Sequence, residues 1–317
     1  MSKSFYIKNK KKFLFYEKVM TIKELLDIDD TKQLKTFFEY SFDDANFDYK
    51  KFYDSRLDNY ECFLFGVENK SFRGMYFSYD KKKKSYVITL YTPSSEEDWI
   101  LALNYMKCLS KKLNSNIISE DEEIFTAENI NTFNYKFDIS VGIKSIFRHT
   151  KNSEDSINTI FGVNYPINFD HKLITKFINS DNKIKEFSEF CRNIQYLDTA
   201  IFRQKQSFYK IENSLKVYGT YMLLENFKQI LPYKPNIEFP YLKKIGEKDI
   251  AYWDISFCIE KSPKKYEEIG RIYYEDFIQK LPKNKYKFID ATYILIEPLN
   301  KKEIYKILDY YELNKSK

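Results

Sequence analysis

Arginine is scarce in this sequence. Only Arg56, Arg73, Arg148, Arg192, Arg203 and Arg271 occur among 317 residues, so lysine supplies nearly all of the 52 basic side chains. The formal charge of +6 suits a nucleic-acid or anionic-surface partner at first sight. Arginine, however, is the side chain favoured for bidentate phosphate and base-edge contacts, and a lysine surface without it reads first as solvation. Glycine, proline and alanine are few while lysine, asparagine, isoleucine, tyrosine and phenylalanine abound, the pattern an AT-rich genome imposes on codons. No two of the 7 glycines lie closer than Gly66 and Gly74, which excludes both GxGxxG and a P-loop. The 2 histidines, His149 and His171, sit in no HExxH or nucleophile motif, so zinc chemistry and His-assisted nucleophiles find little support. Cys62, Cys108, Cys191 and Cys258 are widely spaced and form no CxxC. They read as buried, reduced thiols of a reducing compartment. No apolar run approaches the ~20 residues of a membrane span, and the first residues, MSKSFYIKNKKKFLFYEK, lack a signal-peptide pattern. The expected location is cytoplasmic, with no membrane partner.

What is present is apolar and aromatic. Hydrophobic residues make up 43% of the chain, with 28 tyrosines and 28 phenylalanines, enough for a sizeable core, and the length predicts one large or two moderate domains. SFYIKN (4–9) alternates as a strand does. Thr21, three residues before Glu24, signals a capping box, and DDTKQLKTFFEY (29–40) reads as a further helix. YECFLFGVE (60–68), FRGMYFSYD (72–80) and SYVITLYT (85–92) read as strands. Apolar residues on both faces of the last of these predict a central strand covered on both sides. Lys81, Lys82, Lys83 and Lys84 then form a solvated hairpin loop rather than a phosphate patch.

The stretch TPSSEEDWILALNYMKCLSKKL (92–113) is the most sharply punctuated. Pro93 ends a strand, and Ser94 and Ser95 each stand three residues ahead of an acid, as helix caps do. Glu96, Glu97 and Asp98 suit the positive end of the helix dipole and would repel a phosphate there. Trp99, Leu103, Met106 and Leu113 follow at helical spacing, so this is a scaffold helix with Trp99 on its buried face.

Glu120 to Glu123 form the densest acid run, read as a solvated turn because consecutive acids diverge in a strand. Beyond it, 172–197 reads as amphipathic helix, 207–232 as a hairpin turning near Glu212-Asn213-Ser214, 250–260 as a strand, 263–282 as a helix, 286–298 as a strand and 300–313 as a helix capped by Asn300. The fold class is α+β (mixed α/β), largely antiparallel sheets with packed helices in two sub-domains. Their expected limits are 1–130 for an N-terminal α/β domain, 131–170 for a polar linker or insertion, and 171–317 for a C-terminal α/β domain.

Four segments in this order, FYIKNKKK…VMTIKELL, YTPSSEEDWILAL, FGVNYP and YLDTAIFRQKQSFYKIENSLKVYGTYMLLENFKQILPYKP, resemble the bacterial DUF4299 family of unknown function across most of the chain. The resemblance implies a soluble bacterial protein of this size and brings no catalytic residue with it.

The last of those segments is the most suggestive. It gathers Asp198, Arg203, Gln204, Gln206, Tyr209, Tyr221 and Glu225, polar hydrogen-bonding groups among aromatics, as partner-binding surfaces do. Basic residues interleaved with aromatics also suit a single-stranded nucleic-acid platform, while the bland reading is a surface helix running into a hairpin. The expectation is a non-enzymatic protein-binding role with Asp198, Arg203, Gln206, Tyr209, Tyr221 and Glu225 at the surface. It needs no cofactor, metal or catalytic residue, and an immunity or inhibitor protein of bacterial conflict is one such role. The alternatives are a nucleic-acid-binding protein and a carboxylate-based hydrolase, because carboxylate separation is a three-dimensional fact.

Overall fold

Phe5 and Ile7 alternate with Ser4 and Tyr6, and that period of two builds the first strand, β1 (Ser2–Lys8). The computed structural model describes residues 1–28, 33–37, 48–151, 156–198, 201–203, 206–238, 244–263 and 265–315. The chain divides into two units, Met1–Tyr196 and Leu197–Lys317.

In the first unit, β1 is followed by a small hairpin of β2 (Lys11–Lys12) and β3 (Phe15–Tyr16), then α1 (Ile22–Leu26), β4 (Leu34–Phe37) and α2 (Tyr49–Tyr53). Next come β5 (Phe63–Val67), β6 (Met75–Asp80), β7 (Ser85–Tyr91), α3 (Glu96–Leu113), β8 (Ile117–Ser119) and β9 (Ile124–Phe125). The unit closes with α4 (Tyr135–Thr150), the hairpin β10 (Asn158–Phe161) and β11 (Pro166–Phe169), and helices α5 (His171–Ile178) and α6 (Lys183–Gln195). Seven strands form one antiparallel sheet in the order β4-β5-β6-β7-β1-β8-β9.

Local signals act as the sequence predicts at several points. Thr21 and Glu24 close a full capping box on α1. Ser95 caps α3 by accepting from the Asp98 amide. Trp99 is fully buried, stacked on Phe133 at 5.4 Å with Phe5 edge-on at 6.4 Å. Asp98 does more than complement the helix dipole. Its buried carboxylate accepts from the amides of Phe72 (3.2 Å), Arg73 (2.8 Å) and Gly74 (3.0 Å) and from the Ser94 hydroxyl (2.7 Å). The helix start thus clamps the loop entering β6. Lys81 to Lys84 are exposed in the β6–β7 turn, with Lys83 Nζ 4.2 Å from the Tyr6 ring centroid. Glu120 to Glu123 are exposed in the β8–β9 turn, where Asp121 pairs with Lys3.

Other expectations are corrected. Within 29–40, the described residues Leu34–Phe37 are a strand, because β5 offers their backbone a ladder from Leu34↔Val67 to Phe37↔Leu64; 29–32 and 38–40 lie outside the described residues. β7 is central, but its cover is uneven: Tyr86, Ile88 and Leu90 are fully buried while Tyr91 is exposed. The expected linker 131–170 holds α4 and the β10–β11 hairpin, whose Ile139, Ile143, Ile146, Ile160, Ile167 and Phe169 join the first core. Sparse isoleucines at helical spacing hide that amphipathic face among polar neighbours. The division between units accordingly falls at 196/197. No disulfide links the four cysteines, but Cys62 is exposed and Cys108 half-buried, leaving Cys191 and Cys258 as the two buried thiols. Cys62 precedes β5 rather than lying in it, so the sheet does not cover it.

The second unit runs β12 (Phe202–Arg203), β13 (Ser207–Lys210), β14 (Val217–Leu224), β15 (Gln229–Pro232), β16 (Ile250–Ser262), β17 (Lys265–Tyr273), α7 (Tyr274–Lys280), β18 (Tyr286–Phe288), β19 (Tyr293–Ile296) and α8 (Lys301–Lys315). One sheet has the order β12-β15-β19-β18, the other β13-β14-β16-β17. Tyr221, Leu223, Leu231, Ile255, Phe257 and Ile294 share a core with residues of α7 and α8. The helix expected at 263–282 is strand β17 followed by α7. Bulges in the β16–β17 ladder absorb the irregular spacing of its apolar residues. Asn300 and Glu303 exchange backbone-to-side-chain hydrogen bonds of 2.9 and 3.1 Å, capping α8.

Candidate functional site

The β13–β14 hairpin turns through Asn213, whose φ of 58° is left-handed, a conformation asparagine tolerates well. This turn sets the register Tyr209↔Tyr218. The two rings stack 5.4 Å apart at 25°. β14 then pairs in parallel with β16, with an irregularity between Val217 and Gly219. That pairing brings Tyr252 against Tyr218 at 5.1 Å and 5°. β17 adds Tyr273, edge-on to Tyr252 at 5.5 Å. Four tyrosines, one from each strand, therefore cross the sheet as a continuous row. Tyr209, Tyr252 and Tyr273 are 45%, 38% and 49% exposed, and Met222 on the same strand face as Tyr218 is 42% exposed. Large aromatics left this open on a rigid sheet form a surface rather than a core.

The reverse of the sheet shows why the row is held firmly. A Cβ on Gly219 would lie 2.2 Å from the Trp253 ring, so only glycine lets that indole close over β14. Phe208 and Tyr221 pack on Trp253 at 5.7 and 5.6 Å. The alternation of the strands thus separates a packed inner set from an aromatic outer set.

Charge on the outer face is internally matched. Arg271 donates from Nε and Nη2 to the two Glu268 oxygens at 2.5 and 2.9 Å. Its Nη1 lies 3.6 Å from Asp254, and the guanidinium sits 5.9 Å from the Tyr209 ring centroid. The hydrogen bond to Glu268 raises the Arg271 pKa, and its partner Glu268 is held below the ordinary carboxylate range. Burial pushes the Asp254 carboxyl up, a sign that Arg271 only partly offsets its desolvation.

Of the residues singled out from sequence, Tyr209 stands in this row. Tyr221 and Gln206 do not, because both are buried: Gln206 donates to the Tyr221 hydroxyl and to the Asn236 carbonyl, and accepts from the Glu238 amide at 2.9 Å. They brace the sheet from beneath. Glu225 accepts from the Glu260 amide at 3.2 Å and so tethers the end of β14 to β16. Asp198 is exposed, and its carbonyl accepts from the Ile201 amide at 2.9 Å. Arg203 lies on β12, in the other sheet, opposite Ile230; its backbone alone is described, and Gln204 lies outside the described residues. Sequence reasoning missed Tyr218, Tyr252, Tyr273 and Arg271. Their signal is the i, i+2 spacing of Arg271 and Tyr273 and of Tyr252 and Asp254, which marks one strand face.

In the first unit, His149 Nδ1 lies 2.8 Å from the Ser145 carbonyl, and His171 packs on Phe147 with ring centroids 4.7 Å apart. Each ring also lies near a hydroxyl, His149 Nδ1 at 3.5 Å from Ser145 Oγ and His171 Nδ1 at 3.5 Å from Thr150 Oγ1. Among the described residues no helix is long and apolar enough to cross a membrane. One family model matches residues 2–307, that of a domain of unknown function (DUF4299). No curated protein and no solved structure matches the chain.

Proposed function

We propose that this chain, which belongs to the DUF4299 family, is a non-enzymatic protein-binding protein whose contact surface is the tyrosine row of its second unit. The observation that carries the reading is the exposure of Tyr209, Tyr252 and Tyr273 side by side on one sheet face. Tyrosine and arginine are enriched where a few side chains dominate association, and rigid tyrosines lose little conformational entropy on binding. A protein partner is favoured over a nucleic acid by charge. Arg271 is already committed to Glu268 and Asp254, and those carboxylates would repel a phosphate backbone. An immunity or inhibitor role inside a bacterial cell is the kind of task this surface suits.

The test uses the purified full chain as bait and measures affinity for the protein it captures. Tyr209→Ala and Tyr252→Ala should each weaken that complex by about 2 kcal/mol, with an unchanged unfolding midpoint. Full retention of the partner by both variants would remove the row from consideration. Binding to single-stranded DNA that falls steeply with added salt would favour the nucleic-acid reading instead.

A further inference from the structure

The first unit contains a cleft of about 260 Å³ where the end of β7, the last turns of α4 and β10 meet, lined among others by Arg73, Tyr91, Ser145, His149, Asn158 and Thr159. Arg73 is unusual there. Its Nη1 donates to the Pro93 carbonyl at 3.3 Å, and its guanidinium stands 5.0 Å from the Tyr91 ring centroid. Its Nε is buried and has no hydrogen-bond partner, and among the described residues Arg73 makes no ion pair. Asp98, whose charge acts on Arg73, spends its oxygens on three backbone amides and Ser94. The Arg73 Nε is sealed from the cleft, so an anion would meet the rest of the half-buried guanidinium, which has no ion pair to offset its desolvation.

The opposite wall supplies complementary groups. His149 Nδ1 faces the Ser145 carbonyl at 2.8 Å. A carbonyl only accepts, so Nδ1 carries the proton, and the bare Nε2 can accept from a protonated oxygen of a ligand such as the hydroxyl of hydrogen phosphate. Ser145 and Asn158 add uncharged polar groups to the lining, while Thr159 donates its hydroxyl to Asn168 Oδ1 at 2.7 Å. α4 can approach closely because Gly142 has no Cβ, which would otherwise lie 2.6 Å from Pro93. Desolvation shifts the Arg73 guanidinium down from its ordinary value, and the opposing charge of Asp98 only partly offsets it.

We infer that this cleft binds a small oxyanion, a phosphate or a short carboxylate, through the Arg73 guanidinium with His149 and Ser145 on the facing helix. The site is independent of the tyrosine row. The planar fork of arginine is matched to two oxygens of either group.

Titration calorimetry of the full chain with inorganic phosphate and, separately, with succinate at constant ionic strength tests it. Saturable binding of either anion is expected. Arg73→Gln should weaken it by about tenfold or more, and His149→Gln, on an exposed helix position, should weaken it severalfold. A preference for phosphate assigns a phosphoryl ligand, and a preference for succinate assigns a carboxylate. Should Arg73→Gln not fold, His149→Gln together with Ser145→Ala decides the matter. Absence of saturable binding by both anions at millimolar concentration would overturn the inference. So would binding that these variants leave unchanged.

Discussion

Replacing Asp98 is the most exacting test of how the first unit is held together. The side chain is fully buried and satisfies three amides, those of Phe72, Arg73 and Gly74, besides the Ser94 hydroxyl. The loop it holds has little freedom to find other partners. Gly74 is left-handed at φ 63°, and a Cβ there would lie 2.4 Å from the Phe65 carbonyl oxygen. Asp98→Ala strands four polar groups. Each unpaired buried group costs about 1–3 kcal/mol, so with water reaching some of them the loss should be about 4 kcal/mol. Asp98→Asn can keep its oxygen at the Oδ2 position, which accepts three of the four bonds, but turns an amide donor toward the Gly74 N–H. That change removes one charge-assisted bond and should cost about 2 kcal/mol. The assay is urea unfolding followed by Trp99 fluorescence in a Trp253→Phe background, which leaves one tryptophan, in the first unit. Equal losses for the two variants, or a loss below about 1 kcal/mol for alanine, would refute the clamp.

Trp99→Ala should cost about 3–5 kcal/mol in the same assay read by circular dichroism. Trp99→Phe should cost much less, since the indole Nε1 has no hydrogen-bond partner to lose. Serine at all four of Lys81 to Lys84 should move the midpoint by less than about 1 kcal/mol, the scale of the single Lys83–Tyr6 contact. A larger loss would mean the run has a structural role. Gly219→Ala should destabilise the second unit by about 2 kcal/mol or more, because Trp253 must move; an unchanged midpoint would show that the indole repacks freely. Tyr221→Ala should unfold that unit more easily by about 3–5 kcal/mol, whereas the exposed Tyr209→Ala should not, and calorimetry separates the two.

Local grammar carried well from sequence to structure. Thr21 with Glu24, Ser95 before Asp98, Asn213 in its turn and Asn300 with Glu303 each depend on residues within a few positions, and each is found in place. The failures share a cause in distant partners. Ile269, Ile272, Tyr273 and Phe277 recur at helical spacing, yet the strand β16 claims the backbone of Ile272 and Tyr273 and leaves Ile269 at a bulge in the same ladder. Leu34–Phe37 follow β5 in the same way. The candidate face was half legible: Tyr209 and Tyr218 belong to a visible hairpin, but their union with Tyr252 requires the parallel β14–β16 pairing, which no local pattern announces. Tyr221 and Gln206 read as surface groups because alternation alone does not say which face of a strand meets the core.

The two sheets of the second unit are interleaved along the chain: β12 and β15 belong to one, β13 and β14 to the other, β16 and β17 return to the second, and β18 and β19 to the first. During synthesis, β15 emerges with only the two-residue β12 as a sheet neighbour, and its antiparallel partner β19, which pairs along all four of its residues, is made some sixty residues later. β14 must likewise wait for β16 to supply its parallel side. The sheet of β13, β14, β16 and β17 has all its strands once β17 is made, while the other sheet still waits for β18 and β19. Such long-range pairing slows folding and prolongs the exposure of unpaired edges. A nascent chain stalled between β17 and β19 would present the Ile230–Leu231 edge bare, and that stall point is where chaperone dependence should concentrate.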